Sequence, residues 1–249
     1  MVRIAHLSDT HLDGTPERAL RAQRVLHEIT ELDDIDLVLV SGDLTDHAAH
    51  AEYVQFFDIF SAFSPLLVVP GNHDRRTPLA AHLEPAADGY FNTVSTVDGL
   101  TVIGLDSLIE GETAGRLAEG TIEFAHDALR SADGPAILAL HHPPVPVGHD
   151  FADQNGLLNA SALAEILTMH DHVIAILTGH VHTALAASFA GRPLLGAPGI
   201  ASTMRLGSRM DPIADTNAMP GLAVHTVEHS ASESTSIRSI FHYLSPDTP

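Results

Sequence analysis

Apolar residues recur along the chain at two periods, and each run stops at a short polar stretch. Residues 2–8 alternate and end at Asp9, which predicts a first strand. Thr15-Pro16-Glu17 is a helix start, with Thr15 as the cap and Pro16 in the first turn. Ala22, Val25, Leu26, Ile29 and Leu32 then follow at helical spacing. Asp36–Ser41 is continuously apolar after its first residue, as expected of a strand covered on both faces. Tyr53, Phe56, Phe57 and Phe60 mark a second helix, and Leu66–Pro70 a third strand. Alternation of strand and helix predicts a parallel α/β core.

Further on, residues 75–90 read as a loop with a short helix. Tyr90–Val97 and Leu100–Leu105 flank Asp98-Gly99, a hairpin signal. Residues 106–120 show little periodicity. Ile122, Ala125 and Leu129 predict a helix, Ala136–Leu140 a buried strand, residues 145–158 a loop, Leu163, Ile166 and Leu167 a helix, and Val173–Thr178 a strand. After Gly179 the pattern changes to short strands: Leu185–Phe189, Leu194–Ala197, Gly221–Val227 and Ser236–Tyr243. The second half therefore reads as a more antiparallel sheet, with Asp211–Pro220 as a mobile loop. No linker, repeat or low-complexity tract appears, so one domain over residues 1–249 is expected.

Composition narrows this picture. The chain is 45% hydrophobic and 18% charged, which is globular rather than disordered. Its net charge of −20 opposes duplex nucleic acid and anionic membranes. Absence of cysteine excludes disulfides, thiolate zinc sites and iron–sulfur clusters. No apolar run approaches the ~20 residues of a membrane span. The early polar residues do not read as a signal peptide, so the expected compartment is cytoplasmic. Histidine is unusually frequent at 18, and the scattered ones read mostly as surface or supporting residues.

The chemistry lies where the apolar runs end: Asp9-Thr10-His11, Gly42-Asp43, Gly71-Asn72-His73-Asp74, His141-His142-Pro143-Pro144 and Gly179-His180-Val181-His182. On extended backbone, positions i and i+2 point the same way, so Asp9 and His11 would reach one ion, and His180-x-His182 repeats the arrangement with two imidazoles. Gly42 and Gly71 allow sharp turns beside Asp43 and Asn72. Three oxygen donors (Asp9, Asp43, Asn72) and four imidazoles (His11, His141, His180, His182) exceed the needs of one hydrated ion. They suit two divalent metal ions sharing a carboxylate. Mixed oxygen and imidazole donors favour manganese, iron, zinc, cobalt or nickel over magnesium or calcium.

Taken in order, these motifs from Asp9 to His182 resemble the calcineurin-like metallophosphoesterase superfamily. That resemblance implies a four-layer α-β-β-α sandwich of two mixed sheets. It implies one ion on Asp9, His11, Asp43 and His182, and a second on Asp43, Asn72, His141 and His180. Asp43 and a water or hydroxide would bridge them, manganese and iron being the first expectation. His73 would face the phosphate, making His73, Asn72 and Asp43 the catalytic set. Asp74, Asp46 and His142 are supporting candidates: Asp74 either orients His73 or caps a turn, and His142 holds loop shape. Ser107 reads as structural.

Gly42-Asp43-Leu44-Thr45-Asp46 with Glu52-Tyr53 further resembles bacterial class III cyclic-nucleotide phosphodiesterases. The implied substrate is a small phosphodiester such as 3′,5′-cAMP, cleaved to a 5′-monophosphate by metal-bound hydroxide. The alternative is a glycerophosphodiesterase or broad phosphodiesterase. A non-catalytic scaffold is disfavoured because every ligand position is filled. Loops 75–90, 145–158 and 202–220 would shape the pocket, with His47, His50, His149 and Asn217 as contact candidates. The stretch after His182 carries no family motif, and selectivity and any homodimer contact are expected there.

Overall fold

The computed structural model describes residues 1–206, 212–230 and 233–245. In chain order the elements are β1 (Val2–Leu7), α1 (Pro16–Thr30), β2 (Leu37–Ser41), α2 (His50–Phe60), β3 (Leu66–Val69), α3 (Arg76–Leu79), β4 (Thr93–Val97) and β5 (Leu100–Gly104). Then come α4 (Glu119–Ser131), β6 (Ala136–Ala139), α5 (Asp150–Gln154), α6 (Ala160–Met169), β7 (Val173–Thr178), β8 (Leu185–Phe189) and β9 (Arg192–Gly196). The chain ends with β10 (Thr203–Met204), β11 (Ala214–Asp215), β12 (Gly221–Ser230) and β13 (Glu233–Tyr243).

Local chemistry accounts for many of these boundaries. The Thr15 hydroxyl accepts the Arg18 amide, Pro16 opens α1, and Ala22, Val25, Leu26 and Ile29 form its buried stripe. Asp98 and Gly99 both take positive φ, 45° and 79°, as a two-residue hairpin between β4 and β5 requires.

Two sheets result, ordered β13-β12-β1-β2-β3 and β4-β5-β6-β7-β9-β8, with β10-β11 as a separate ribbon. β1, β2 and β3 are parallel, as are β5, β6, β7 and β9. The late strands pair mostly antiparallel, as expected, but form no large sheet of their own. β8 and β9 extend the second sheet, while β12 returns antiparallel to β1 and carries β13 outward. Strand periodicity specifies faces, not partners, so this closure leaves no local signal. The segment expected as a loop over Asp211–Pro220 includes β11, paired to β10. Asp211 of that stretch lies outside the described residues.

Alternation within each strand makes four layers. Ile4, Leu39 and Val69 of the first sheet meet Val102, Ile137 and Leu177 of the second, all buried. The opposite face of the first sheet, with Leu7 and Val40, packs on Val25 of α1 and on Tyr53, Phe56 and Phe60 of α2. Leu138 and Ile176 of the second sheet pack on Leu129 of α4 and Leu163 of α6. Both faces being covered explains the unbroken apolar runs in the parallel strands. Each large aliphatic side chain so buried contributes about 1.5–3 kcal/mol.

Not all of the scattered histidines are peripheral. His6 and His225, on paired strands, are fully buried. His6 Nδ1 lies 3.0 Å from His225 Nε2, and the outer nitrogens reach Ser41 Oγ at 2.8 Å and Ser239 Oγ at 2.7 Å. Burial, and then the adjacent ring, holds His6 well below its ordinary value, and burial lowers His225 to about 3. Folded rings that resist protonation destabilise the fold in acid. The unfolded chain binds their protons below about pH 6.5, so stability falls as pH drops from there towards 3. Urea unfolding at fixed metal supply should lose about 1 kcal/mol per ring between pH 7 and 5.5. H225N should lose less over the same interval; equal losses would contradict this origin.

Candidate metal centre

Parallel strands end on one side, and each of these sheets sends its polar strand ends to the same place. β1, β2 and β3 deliver Asp9, Asp43 and Asn72; β6 and β7 deliver His141, His180 and His182. The loops after β1 and β2 run side by side, with Asp9 N donating to Gly42 O at 3.0 Å and His11 N to Asp43 O at 3.0 Å.

The backbone at these ends is not extended. Asp9, His11, Asp43, His180 and His182 all have positive φ, between 41° and 71°. The i, i+2 argument from a pleated strand is therefore corrected: Asp9 and His11 share one group from left-handed backbone, whereas His180 and His182, also left-handed, part, His182 meeting Asp9 and His180 meeting Asn72. Such conformations cost of order 1 kcal/mol or more each and persist where packing fixes them. Two glycines make room. A Cβ at Gly42, whose φ is +99°, would stand 2.4 Å from His141 Nδ1, and one at Gly71 would stand 2.2 Å from Asp43 Oδ1.

All seven expected ligand side chains meet. Asp9, His11, Asp43 and His182 each bring a ligand atom within 4.8 Å of the others. His11 Nε2 is 3.2 Å from His182 Nε2 and 3.4 Å from Asp43 Oδ2, and His182 Nε2 is 3.4 Å from Asp9 Oδ1. On the other side of Asp43, its Oδ2 is 3.5 Å from His141 Nε2. Asn72 Oδ1 lies 3.2 Å from His141 Nε2 and 3.0 Å from His180 Nδ1. Asp43 thus touches both groups.

Three imidazoles have their outer nitrogens fixed. His11 Nδ1 meets Asp46 Oδ1 at 2.9 Å, His141 Nδ1 donates to Ser41 O at 2.7 Å, and His182 Nδ1 meets Ser202 Oγ at 2.8 Å. Each contact fixes its ring so that Nε2 turns towards the centre. Ser202 and the Ser41 carbonyl carried no recognisable signal in the sequence.

Of the two roles open to Asp74, the structure shows the turn cap. Asp74 does not touch His73. It accepts from Gly71 N at 2.8 Å, Leu44 N at 3.2 Å and Tyr53 OH at 3.1 Å, tying the third-strand turn to the second. His73 Nδ1 instead donates to the Asp46 carbonyl at 2.9 Å. Its backbone N–H donates to Asp43 Oδ1 at 2.8 Å. His142 sits near His141 and His180, but Ser107 Oγ at 2.8 Å and Thr113 O at 3.1 Å engage both its nitrogens. Its role is to anchor the loop, as is that of Ser107.

Electrostatics fit a cation at this centre. Burial pushes the Asp9 carboxyl up to about 6, against the pull of His141. Burial works to raise Asp43 too, yet His141 and His11 hold it well below the usual carboxylate range. His141 is held up at about 9 because Asp43 and Asp9 outweigh its burial. Burial lowers His180 to about 3, helped by His141, and His182 to about 4. Asp9 Oδ2 is buried without a hydrogen-bond partner among the described residues. A buried, unpartnered carboxylate oxygen in a group that also holds His11, Asp43 and His182 is what a divalent ion would satisfy, so the donor set fits metal.

Two clefts flank His73 and Asp46. One, about 300 Å³, is walled by Phe151, Ala201, Met204 and Ile213, with Arg18 at its side. The other, about 230 Å³, is polar, with His47, Asn72, Arg75 and Glu112. Segments 75–90, 145–158 and 202–220 all contribute, as expected. Of the contact candidates His47 lines the polar cleft, whereas His50, His149 and Asn217 line neither.

Comparison with known proteins agrees with this geometry. The family model described as calcineurin-like phosphoesterase matches residues 2–184. The chain is 33% identical over 209 residues to the 3′,5′-cyclic adenosine monophosphate phosphodiesterase CpdA of Escherichia coli (strain K12), covering 79% of this chain and 75% of that one. It is 37% identical to a probable cyclic nucleotide phosphodiesterase of Rhodococcus erythropolis, covering 77% and 68%. In fold it is similar to a dimetal phosphatase from Danio rerio, with a TM-score of 0.67, 14% identity and coverage of 98% and 99%. With its strand ends gathered as above and that match over most of its length, the chain belongs to the calcineurin-like phosphoesterase family.

Proposed function

We propose that this chain, a metal-dependent phosphodiesterase, hydrolyses small phosphodiesters, 3′,5′-cyclic nucleotides such as cAMP first among them, to 5′-monophosphates. The observation that carries the reading is the meeting of seven ligand-type side chains, from five separate stretches, beside a largely apolar cavity. Asp9, His11, Asp43 and His182 would hold one divalent ion, and Asp43, Asn72, His141 and His180 a second. Manganese or iron suits this oxygen and imidazole set best, with zinc, cobalt or nickel as alternatives. When bound, such a pair activates water and neutralises charge developing at phosphorus.

The chain's own groups do the rest. The His73 ring, held by the Asp46 carbonyl and facing both clefts, is placed to protonate the departing 3′ oxygen. Asn72 turns its oxygen to the two imidazoles, and its amide N–H groups would donate to a phosphate oxygen. The apolar cleft would seat the nucleoside. A net charge of −20 disfavours duplex nucleic acid as substrate. No helix among the described residues is long and apolar enough to cross a membrane.

The polar cleft supports a second reading. A cyclic diester has both ester oxygens on one sugar, whereas an acyclic diester carries a second arm. His47, Arg75 and Glu112 would suit a hydroxylated arm, as in a glycerophosphodiester. Steady-state rates on cAMP, a glycerophosphodiester and bis(p-nitrophenyl) phosphate at matched metal loading separate the two. The first reading expects cAMP to match or exceed the others in kcat/KM. A value for cAMP a hundredfold below them would transfer the assignment to the acyclic substrate.

A further inference from the structure

Arg75 follows Gly71-Asn72-His73-Asp74 directly, just before α3. Its side chain folds back over that turn. Nη1 donates to Asn72 O at 3.1 Å and to Asp74 O at 2.7 Å, and the backbone N–H donates to Tyr53 OH at 2.9 Å. Asn72 therefore serves two groups: its side-chain oxygen meets His141 and His180, and its main-chain oxygen holds the guanidinium. No carboxylate among the described residues pairs with Arg75. Its Nε and Nη2 have no hydrogen-bond partner there, and neither is sealed from solvent. These two donors lie on the same edge of the planar fork and point the same way. The side chain is thus a half-buried cation, fixed at one corner, with one donor edge open.

Arg75 lines the polar cleft beside His73, and the other charges of that cleft are accounted for. Asp46 is engaged by His11 at 2.9 Å, with His47 at 3.5 Å and His73 at 3.7 Å. His47 also meets Glu52 at 2.9 Å. Glu112 is exposed, so solvent screens its charge. Histidines aside, Arg75 is the one cation of the cleft. The ligand chemistry that matches an open guanidinium edge is a pair of oxygens on one acid, as in a carboxylate or phosphate.

We propose that Arg75 is a specificity-determining residue whose Nε–Nη2 edge binds an acidic group on one arm of an acyclic phosphodiester. This rests on the acyclic reading of the polar cleft above and adds a charge to the hydroxyls considered there. Cyclic nucleotides carry no such arm and use the same centre without Arg75. A net charge of −20 works against an anionic arm, so a preference for one marks a local cation.

Glycerophosphoserine and glycerophosphoethanolamine test it, since they differ by one carboxylate. At matched metal loading, wild type should show a kcat/KM roughly tenfold higher for the serine ester, carried mainly by KM. R75Q should bring the ratio of the two values to about one. R75K keeps the charge and loses the fork, so it should retain part of the preference. Bis(p-nitrophenyl) phosphate, which has no acidic arm, should lose less in R75Q than glycerophosphoserine does. A ratio taken on one preparation does not depend on its active fraction, so damage to the turn that carries Asn72 would leave it unmoved. A wild-type ratio at or below one, or the same ratio in R75Q as in wild type, overturns the role of Arg75 and leaves the acyclic reading intact. Wild-type protein that cleaves cAMP but neither glycerophosphodiester overturns that reading and the proposal together.

Discussion

Replacing Asp43 with alanine is expected to reduce kcat/KM by a thousandfold or more, which is about 4 kcal/mol of transition-state stabilisation. It should also lower bound metal from two ions per chain to one or none. No other side chain touches as much of the centre. Oδ2 faces His11 at 3.4 Å on one side and His141 at 3.5 Å on the other, and Oδ1 accepts the His73 amide. Its charge is also what keeps His141 near 9. Losing the carboxylate therefore removes the shared ligand and loosens the backbone that carries Asn72 and His73. Elemental analysis and initial rates on the same preparation decide the matter. D43N keeps the volume and an acceptor, so similar losses there would assign the effect to charge rather than misfolding. Wild-type metal content in either variant would contradict a bridging position.

Substituting His73 should act differently. H73A is expected to lower kcat for a cyclic nucleotide by about 100–1,000-fold while bound metal stays at the wild-type level. The ring makes an edge contact with His11, their centroids 4.5 Å apart, yet it is 41% exposed and faces both clefts. Its Nδ1 is spent on the Asp46 carbonyl, which leaves Nε2 for the substrate. Leaving-group chemistry provides a second signature. A diester that expels p-nitrophenolate needs little protonation, so H73A should lose much less rate on it than on cAMP. Loss of metal in H73A, or equal losses on both substrates, would contradict a proton-donating role.

Much of this was legible along the chain because each polar group follows a run buried on both faces. Val38 and Val40 face the helices while Leu37 and Leu39 face the other sheet, so β2 had to read as unbroken apolar residues ending at Asp43. Thr15-Pro16 and Asp98-Gly99 announce themselves through cap and turn chemistry. What escaped depends on pairings far apart in sequence. That β12 closes on β1 cannot be read from alternation, which gives faces and not neighbours. The left-handed backbone at Asp9, His11, His180 and His182 is set by the surrounding loops, so the pleated-strand argument reached the right residues by the wrong geometry. Spacing alone left Asp74 open between His73 and a turn cap, which the structure decides for the cap, and Ser202 steadies His182 across a gap no spacing rule covers.

Anomalous diffraction from crystals grown with manganese, recorded above the manganese absorption edge, puts the central claim to its most direct test. The expected map has two peaks ~3.5–4 Å apart on either side of the Asp43 carboxylate. One should lie among Asp9, His11 and His182, and the other among Asn72, His141 and His180. A single peak, or peaks away from Asp43, would contradict the account.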